Sequence, residues 1–518
     1  VKRRVLIFGI DGGTFNVIDP LLAAGRLPNL ARLKREGAAG VLHSVVPPLT
    51  APAWATFQTG LNPGRHGIFD FLAPPRRGYN RRLQNAAALG APRVFDTLSA
   101  CGRTVGAVNI PLTFPPRPIN GFMIPGMLTP ALEDRYLWPR GLAAELKRLG
   151  PYYIDMDPAN YEEGRDDEFL EDLYRVEGAR RDAALALWRA KEPDFFMVVF
   201  TGGDRLMHFF WDRPALVEEH YVWLDGALGA FLAAAAADVT TFVVSDHGFG
   251  PVTAEADLAA HLTRRGFMAM AKEDERPSPR RVMDVIAKLD VLGLRRRLPG
   301  RLRAAARARV MDRYSAFAGV DWAATRAFPG TATQYGVYLN VAGREPAGAV
   351  ARADYERTRD DVIASLDELH LGLSARALRR EEVYFGPYLD DAPDLYLPLW
   401  EDGVRLREFS NDPAVAPRRE RPGEHRREGI FFAAGPLTAP ASAPREATLA
   451  DVYPTVMHVM GEAVPAGLDG RVLAETIAPA ALAETPPRYQ EYGGGRDGFV
   501  AEEDAEVRAR LAGMGYLG

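Results

Sequence analysis

Val5-Leu6-Ile7-Phe8-Gly9-Ile10, closed by Asp11-Gly12-Gly13, opens the chain, and Phe195-Phe196-Met197-Val198-Val199-Phe200, closed by Thr201-Gly202-Gly203-Asp204, shows the same arrangement further on. Each run is short, rich in β-branched and aromatic residues, and ends at glycine and an acid. These are the marks of a strand buried on both faces, not of a helix. Thr104–Asn109 and Thr240–Ser245 read likewise, and helix-period text follows each run. Strands alternating with helices predict βαβ units, a mostly parallel sheet and the α/β class. In open sheets of this kind ligands gather beyond the carboxyl ends of the strands, so Asp11, Asp204 and Asp246, each just past a run, are the first candidates for chemistry.

Composition narrows the class of partner. The 518 residues are 47% hydrophobic and 25% charged, an ordinary globular balance. With 63 Lys plus Arg against 68 Asp plus Glu, no overall positive field draws the chain to a nucleic-acid polymer or an anionic membrane. The longest apolar stretch, Gly229–Ala237, stops at Asp238, short of the roughly 18 residues of a spanning helix, so no membrane span is expected. The single cysteine, Cys101, cannot pair within the chain and reads as a small buried hydrophobe. Lys2-Arg3-Arg4 leads into a run too short for a signal peptide's apolar region, and a cytoplasmic compartment is the expectation.

Four segments are expected. Residues 1–253 form the first part of a catalytic core, 254–327 an inserted Arg-rich helical cap, 328–475 a return to the core, and 476–518 a C-terminal tail. In the cap, Val282, Ile286 and Leu289 recur at helical spacing among Arg295, Arg296, Arg297, Arg301, Arg303, Arg307 and Arg309. Charge runs usually form a solvated face, and closure over an anionic substrate or surface is the sharper alternative. Beyond it, Gly336–Val341 and Asp394–Leu397 resume strand-like text, and Arg418–Arg427 reads as a charged loop.

In Leu49-Thr50-Ala51-Pro52-Ala53-Trp54, Pro52 suits the first turn of a helix and Gly60 its end, which places Thr50 at the helix N-terminus. Free amides and the positive end of the dipole there favour a bound phosphate and an ionised hydroxyl, although Thr50 taken alone reads as an N-cap. Asp204 and His208, four apart, share one face of a helix and can chelate an ion. Asp246-His247-Gly248 follows a strand and makes a turn able to aim a carboxylate and an imidazole at another ion. His425, in Pro422-Gly423-Glu424-His425, is the remaining ligand candidate. Zinc accepts such ligands, yet each fragment alone is more often an ordinary helix face or turn.

Together and in this order, these fragments resemble the alkaline phosphatase superfamily, most of all its type I phosphodiesterase/nucleotide pyrophosphatase branch, whose uncharacterised members include phosphohydrolases and phosphomutases. Thr59-Gly60-Leu61-Asn62-Pro63-Gly64-Arg65-His66-Gly67-Ile68 echoes the text after that branch's nucleophile. The resemblance implies an alkaline-phosphatase-like three-layer sandwich, with Asp204, His208 and His425 on one metal, Asp11, Asp246 and His247 on the second, and Thr50, the nucleophile and itself a metal contact, between them. Zinc is the default for the two divalent cations, and manganese accepts the same ligands.

The implied activity is hydrolysis of a small phosphoester, preferentially a diester or nucleotide pyrophosphate, through a phospho-threonine. The alternatives are a phosphomutase or phosphomonoesterase and, as a weaker reading, a non-catalytic metal-bearing scaffold that binds an anionic partner. Where diesterases of this branch carry a phosphate-binding asparagine, the text is Phe69-Asp70-Phe71, and an acid there reads as structural. Arg65 and Arg205 lie beside motif residues, but neither is identifiable as a phosphate clamp. Cys101-Gly102-Arg103-Thr104 lacks the sulfatase pattern. His66 reads as support for its turn, Trp54 and Trp211 as core or pocket wall, and His43, His220, His261, His370 and His458 as structural or solvated.

Overall fold

A computed structural model describes residues 3–79, 81–157, 160, 164–271, 317, 319–367, 376–407 and 421–492, with 507, 508 and 511. The first strands are β1 (Arg4–Ile10), β2 (Ala38–His43), β3 (Val105–Ile110), β4 (Gly121–Pro125), β5 (Phe195–Phe200) and β6 (Val239–Val244). An excursion carries β7 (Gly248–Pro251), β8 (Ala254–Ala256), β9 (Ala327–Pro329), β10 (Gly336–Leu339), β11 (Leu378–Arg379), β12 (Leu395–Tyr396), β13 (Val404–Leu406) and β14 (Gly423–Arg426), before β15 (Glu428–Ala434) and β16 (Ala447–Thr448). The main sheet has eight strands in the order β16-β2-β15-β6-β1-β5-β3-β4. From β6 to β4 every pairing is parallel, while β15 runs antiparallel between β2 and β6.

Both faces of this sheet are covered. Alternate residues of a strand point to opposite faces, and β1 divides accordingly. Leu6, Phe8 and Ile10 pack with Phe196 and Val198 beneath Leu30, Leu187, Leu224 and Phe231 from the helices Pro28–Glu36, Asp166–Lys191 and Pro214–Ala234. Val5 and Ile7 pack with Met197 and Val199 beneath Trp54, Phe57, Phe95, Leu98 and Val456 from the helices Thr50–Thr59, Val94–Ala100 and Val452–Val459. Helices on both faces of a mostly parallel sheet make the three-layer α/β sandwich expected for the alkaline phosphatase superfamily. Gly9 permits one close approach, since a Cβ there would lie 2.8 Å from Val199 Cγ2 and 3.1 Å from the Trp54 ring. The helix that begins at Thr50 thereby seats directly on the sheet.

The excursion builds a second, four-stranded sheet in the order β11-β12-β10-β9, wholly antiparallel, with its own apolar core around Phe328, Val337, Tyr338 and Leu395. Gly336–Val341 and Asp394–Leu397 supply strands to it. Although the sequence reading returns the chain to the core at residue 328, the first later strand of the main sheet is β15. Gly423–Arg426, read as part of a charged loop, is strand β14, antiparallel to β7. The Arg-rich stretch with its seven arginines, His370 and most of the tail lie outside the described residues. Among those residues no helix is long and apolar enough to cross a membrane.

Candidate active site

Three adjacent strands deliver the acids. Asp11 leaves β1, Asp204 lies in the helix Gly202–Phe210 that follows β5, and Asp246-His247 forms the bend between β6 and β7. Because β6, β1 and β5 are neighbours and parallel, their carboxyl ends bring these turns together. Gly12, at φ +73°, makes the turn after Asp11 that a side chain would strain. Asp204 and His208 share a helical face, with Oδ1 and Nε2 3.4 Å apart. His425 arrives from the excursion on β14, opposite Phe249 of β7. Thr50 is the first residue of its helix, and Leu49 holds the cap position with no side-chain bond, so the hydroxyl does not serve as an N-cap.

The seven side chains are buried together, none more than 2% exposed. His425 Nε2 lies 3.0 Å from both Asp204 Oδ1 and His208 Nε2. His247 Nε2 lies 3.3 Å from Asp246 Oδ2, 3.6 Å from Asp11 Oδ1 and 3.2 Å from Thr50 Oγ1. Two sets, Asp204-His208-His425 and Asp11-Asp204-His247, have ligand atoms within 4.8 Å of one another, and Asp204 belongs to both.

The chemistry of these groups fits cations. His208, His247 and His425 each place Nδ1 at 3.1, 3.1 and 2.8 Å from the carbonyls of Gly423, Gly248 and Pro48. A carbonyl only accepts, so Nδ1 of each ring carries a proton and Nε2 is the ring atom turned into the cluster. Lone pairs of His208 and His425 meeting at 3.0 Å repel unless a positive charge lies between them. Asp11 Oδ1 and Asp246 Oδ2 are buried without a hydrogen-bond donor, whereas Asp11 Oδ2 receives Trp54 Nε1–H at 3.4 Å and Asp246 Oδ1 receives Gly12 N–H at 3.2 Å.

Electrostatics point the same way. Burial, then repulsion from Asp246 and Asp204, raises the Asp11 carboxyl well above its ordinary range, and burial with Asp204 pushes Asp246 up to about 7. Burial also opposes ionisation of Asp204, but His208 and His425 outweigh it and hold that carboxyl low. Burial, then the charge of Arg421, lowers His208 to about 3, and burial with His425 lowers His247. For His425 burial works downward, yet the bond to Asp204 and the nearby Glu424 raise it. The cluster is short of positive charge.

The other candidates fall elsewhere. His66 Nδ1 accepts Ile68 N–H at 3.1 Å and Nε2 meets Thr56 Oγ1 at 3.0 Å, which holds its turn. Asp70 faces Arg81 Nη2 at 2.9 Å and Thr331 Oγ1 at 3.2 Å. Arg65 binds Asp469 and Arg205 binds Asp155, each by a charged hydrogen bond. Cys101 is half-buried beside Tyr492. Trp211 stacks on Phe249, and His220, His261 and His458 are buried apart from the ligand sets. Sequence reasoning missed the carbonyls of Pro48, Gly248 and Gly423, which carry no side-chain signal. It also treated Trp54 as core or wall, although its indole N–H reaches Asp11.

The family model of type I phosphodiesterase/nucleotide pyrophosphatase matches residues 5–427, a span holding every one of these seven residues. The chain belongs to the type I phosphodiesterase/nucleotide pyrophosphatase family. No curated protein matches it. The fold of this family member is similar to that of phosphonoacetate hydrolase from Sinorhizobium meliloti 1021 in complex with phosphonoformate, with TM-score 0.56, 16% identity, and coverage of 89% of this chain and 95% of that one. It is also similar to human ectonucleotide pyrophosphatase/phosphodiesterase 5, with TM-score 0.51, 13% identity, and coverage of 93% and 99%. An inactive threonine-to-alanine variant of the murine counterpart, in complex with AMP, gives TM-score 0.53, 13% identity, and coverage of 92% and 100%. The type I phosphodiesterase/nucleotide pyrophosphatase family is one of metal-dependent phosphoester hydrolases.

Proposed function

We propose that this chain hydrolyses small phosphodiesters or nucleotide pyrophosphates through a phospho-Thr50 intermediate, with Asp204, His208 and His425 holding one divalent cation and Asp11, Asp246 and His247 a second. The observation that carries this reading is the inward set of three Nε2 atoms and buried acids around the Thr50 hydroxyl. Bound there, zinc or manganese would supply charge neutralisation for the phosphoryl group and favour the ionised hydroxyl. Phosphate ester hydrolysis is among the slowest uncatalysed reactions, and neutralising charge supplies more than one general base can.

The Thr50 oxygen forms its bond to phosphorus as the bond to the leaving group breaks, the departing oxygen keeping the electron pair and taking a proton. Water then attacks on the vacated side, the bond from phosphorus to Thr50 Oγ1 breaks, and the hydroxyl regains a proton. The helix N-terminus at Thr50 favours both the alkoxide and the phosphorylated state. The inactivity of the murine relative as a threonine-to-alanine variant supports a threonine in this role. The excursion, which delivers His425 on β14, is suited to shaping substrate choice.

The test is a panel of diester, nucleotide pyrophosphate and monoester substrates with phosphate release followed, using wild type and Thr50→Ala. Wild type is expected to hydrolyse diesters or pyrophosphates. Thr50→Ala is expected to keep its metal and lose turnover by about 10³-fold or more. Undiminished turnover by the variant removes Thr50 from the mechanism, phosphate transfer without release identifies a mutase, and hydrolysis of monoesters alone identifies a monoesterase.

A further inference from the structure

Four residues ahead of His425, Arg421 is half-buried with Nε and Nη2 shielded from solvent and without a hydrogen-bond partner. Its guanidinium lies 5.6 Å from the ring centroid of Phe209, the residue after His208. Nε–H and Nη2–H lie on one edge of a guanidinium, the edge that grips two oxygens of a phosphate or carboxylate side by side. Leaving such donors unmade in a shielded place is costly. In the excursion, Tyr335 Oη and Trp400 Nε1 are also buried donors without a partner among the described residues, their rings 5.4 Å apart. Tyr335 is held at φ +49°, a left-handed conformation a bulky residue adopts only when its surroundings enforce it, and such strain clusters at ligand sites. Burial, then the charge of Glu424, raises the Tyr335 phenol well above its ordinary range, and Arg421 acts in the opposite sense.

We propose that Arg421 is a specificity-determining residue that grips a second oxyanion, carried by the leaving group of the substrate, beside the metal set of His208 and His425. The inference rests on the phosphoester-hydrolase reading and deepens it. The favoured substrates are those whose leaving group bears its own phosphate or carboxylate, and Arg421 is the added charge that distinguishes them from esters of neutral alcohols.

The test is equilibrium binding of three probes to metal-loaded wild type, Arg421→Ala and Arg421→Lys. Inorganic phosphate has a single phosphoryl group, pyrophosphate adds a second phosphate, and phosphonoacetate adds a carboxylate. Arg421→Ala is expected to weaken at least one two-anion probe about tenfold or more relative to its effect on phosphate, and the probe that loses more names the second group. Arg421→Lys, which keeps the charge but not the fork, is expected to fall between. Equal changes for all three probes overturn the proposal. Because the readout is binding, absence of turnover on every substrate in the panel above would count against the hydrolase reading alone.

Discussion

Asp70→Asn separates a structural acid from a substrate ligand, because it installs the residue type that the resemblance implies near this position while removing a charge from a buried pair. Asp70 is fully buried, with Oδ1 accepting Phe71 N–H at 2.7 Å and Oδ2 facing Arg81 Nη2 at 2.9 Å and Thr331 Oγ1 at 3.2 Å. Arg81 is itself only 4% exposed. The asparagine keeps one acceptor for Phe71, turns its amide donors toward Arg81 and strands a buried guanidinium, a change that typically costs about 3–5 kcal/mol. Burial raises the Asp70 carboxyl even with Arg81 beside it, so the pair does not fully offset its own desolvation and the lower end, about 3 kcal/mol, is expected. Pairing the change with Arg81→Met removes the stranded charge. What remains is chiefly the loss of bonds from Arg81 to the Ala73 and Leu72 carbonyls, about 1–2 kcal/mol together. Urea denaturation of wild type and the two variants, with hydrogen exchange read near Phe71 and Thr331, measures both values, and diester turnover is recorded alongside. A cost under about 1 kcal/mol for Asp70→Asn, accompanied by a rise in diester kcat/KM, would refute the structural role.

Asp204→Asn is expected to lower occupancy of the cation held with His208 and His425; normal metal stoichiometry by elemental analysis would count against that ligand grouping. Asp394 accepts Arg344 Nη1–H and Nη2–H at 2.7 and 2.6 Å, and although burial opposes its ionisation, Arg344 holds the carboxyl below its ordinary range. A depressed folded pKa stabilises above the unfolded value of about 4 and loses that contribution as pH falls through the folded value. The unfolding midpoint of the excursion should therefore drop in acid, and Asp394→Asn should flatten that limb; an unchanged slope in the variant would count against the pair as its source.

Much of this architecture is legible in the sequence because β1, β3, β5 and β6 are short apolar runs that end at chemistry-bearing turns. The parallel strand rule then points to Asp11, Asp204 and Asp246, which the structure brings together. The order of strands is less legible. β15 is as apolar as its neighbours, and nothing in a two-sided apolar run encodes that it enters the sheet antiparallel between β2 and β6. β2, Ala-Ala-Gly-Val-Leu-His, is too weakly patterned to announce itself. The excursion's strands span only two to four residues, below the length at which alternation carries information. In the site, side chains could be read, but the carbonyls that fix the three imidazoles could not, and the Asp70–Arg81 pair forms between groups whose approach depends on a local fold.

The most direct measurement is anomalous scattering from crystals of the metal-loaded protein, with data collected on both sides of the zinc and manganese edges. Two peaks are expected, one within ligand distance of Asp204, His208 and His425 and the other of Asp11, Asp246 and His247, on either side of the Thr50 hydroxyl. Fully loaded crystals that show no peak there, or peaks only at surface histidines, would contradict a two-cation centre built around Thr50.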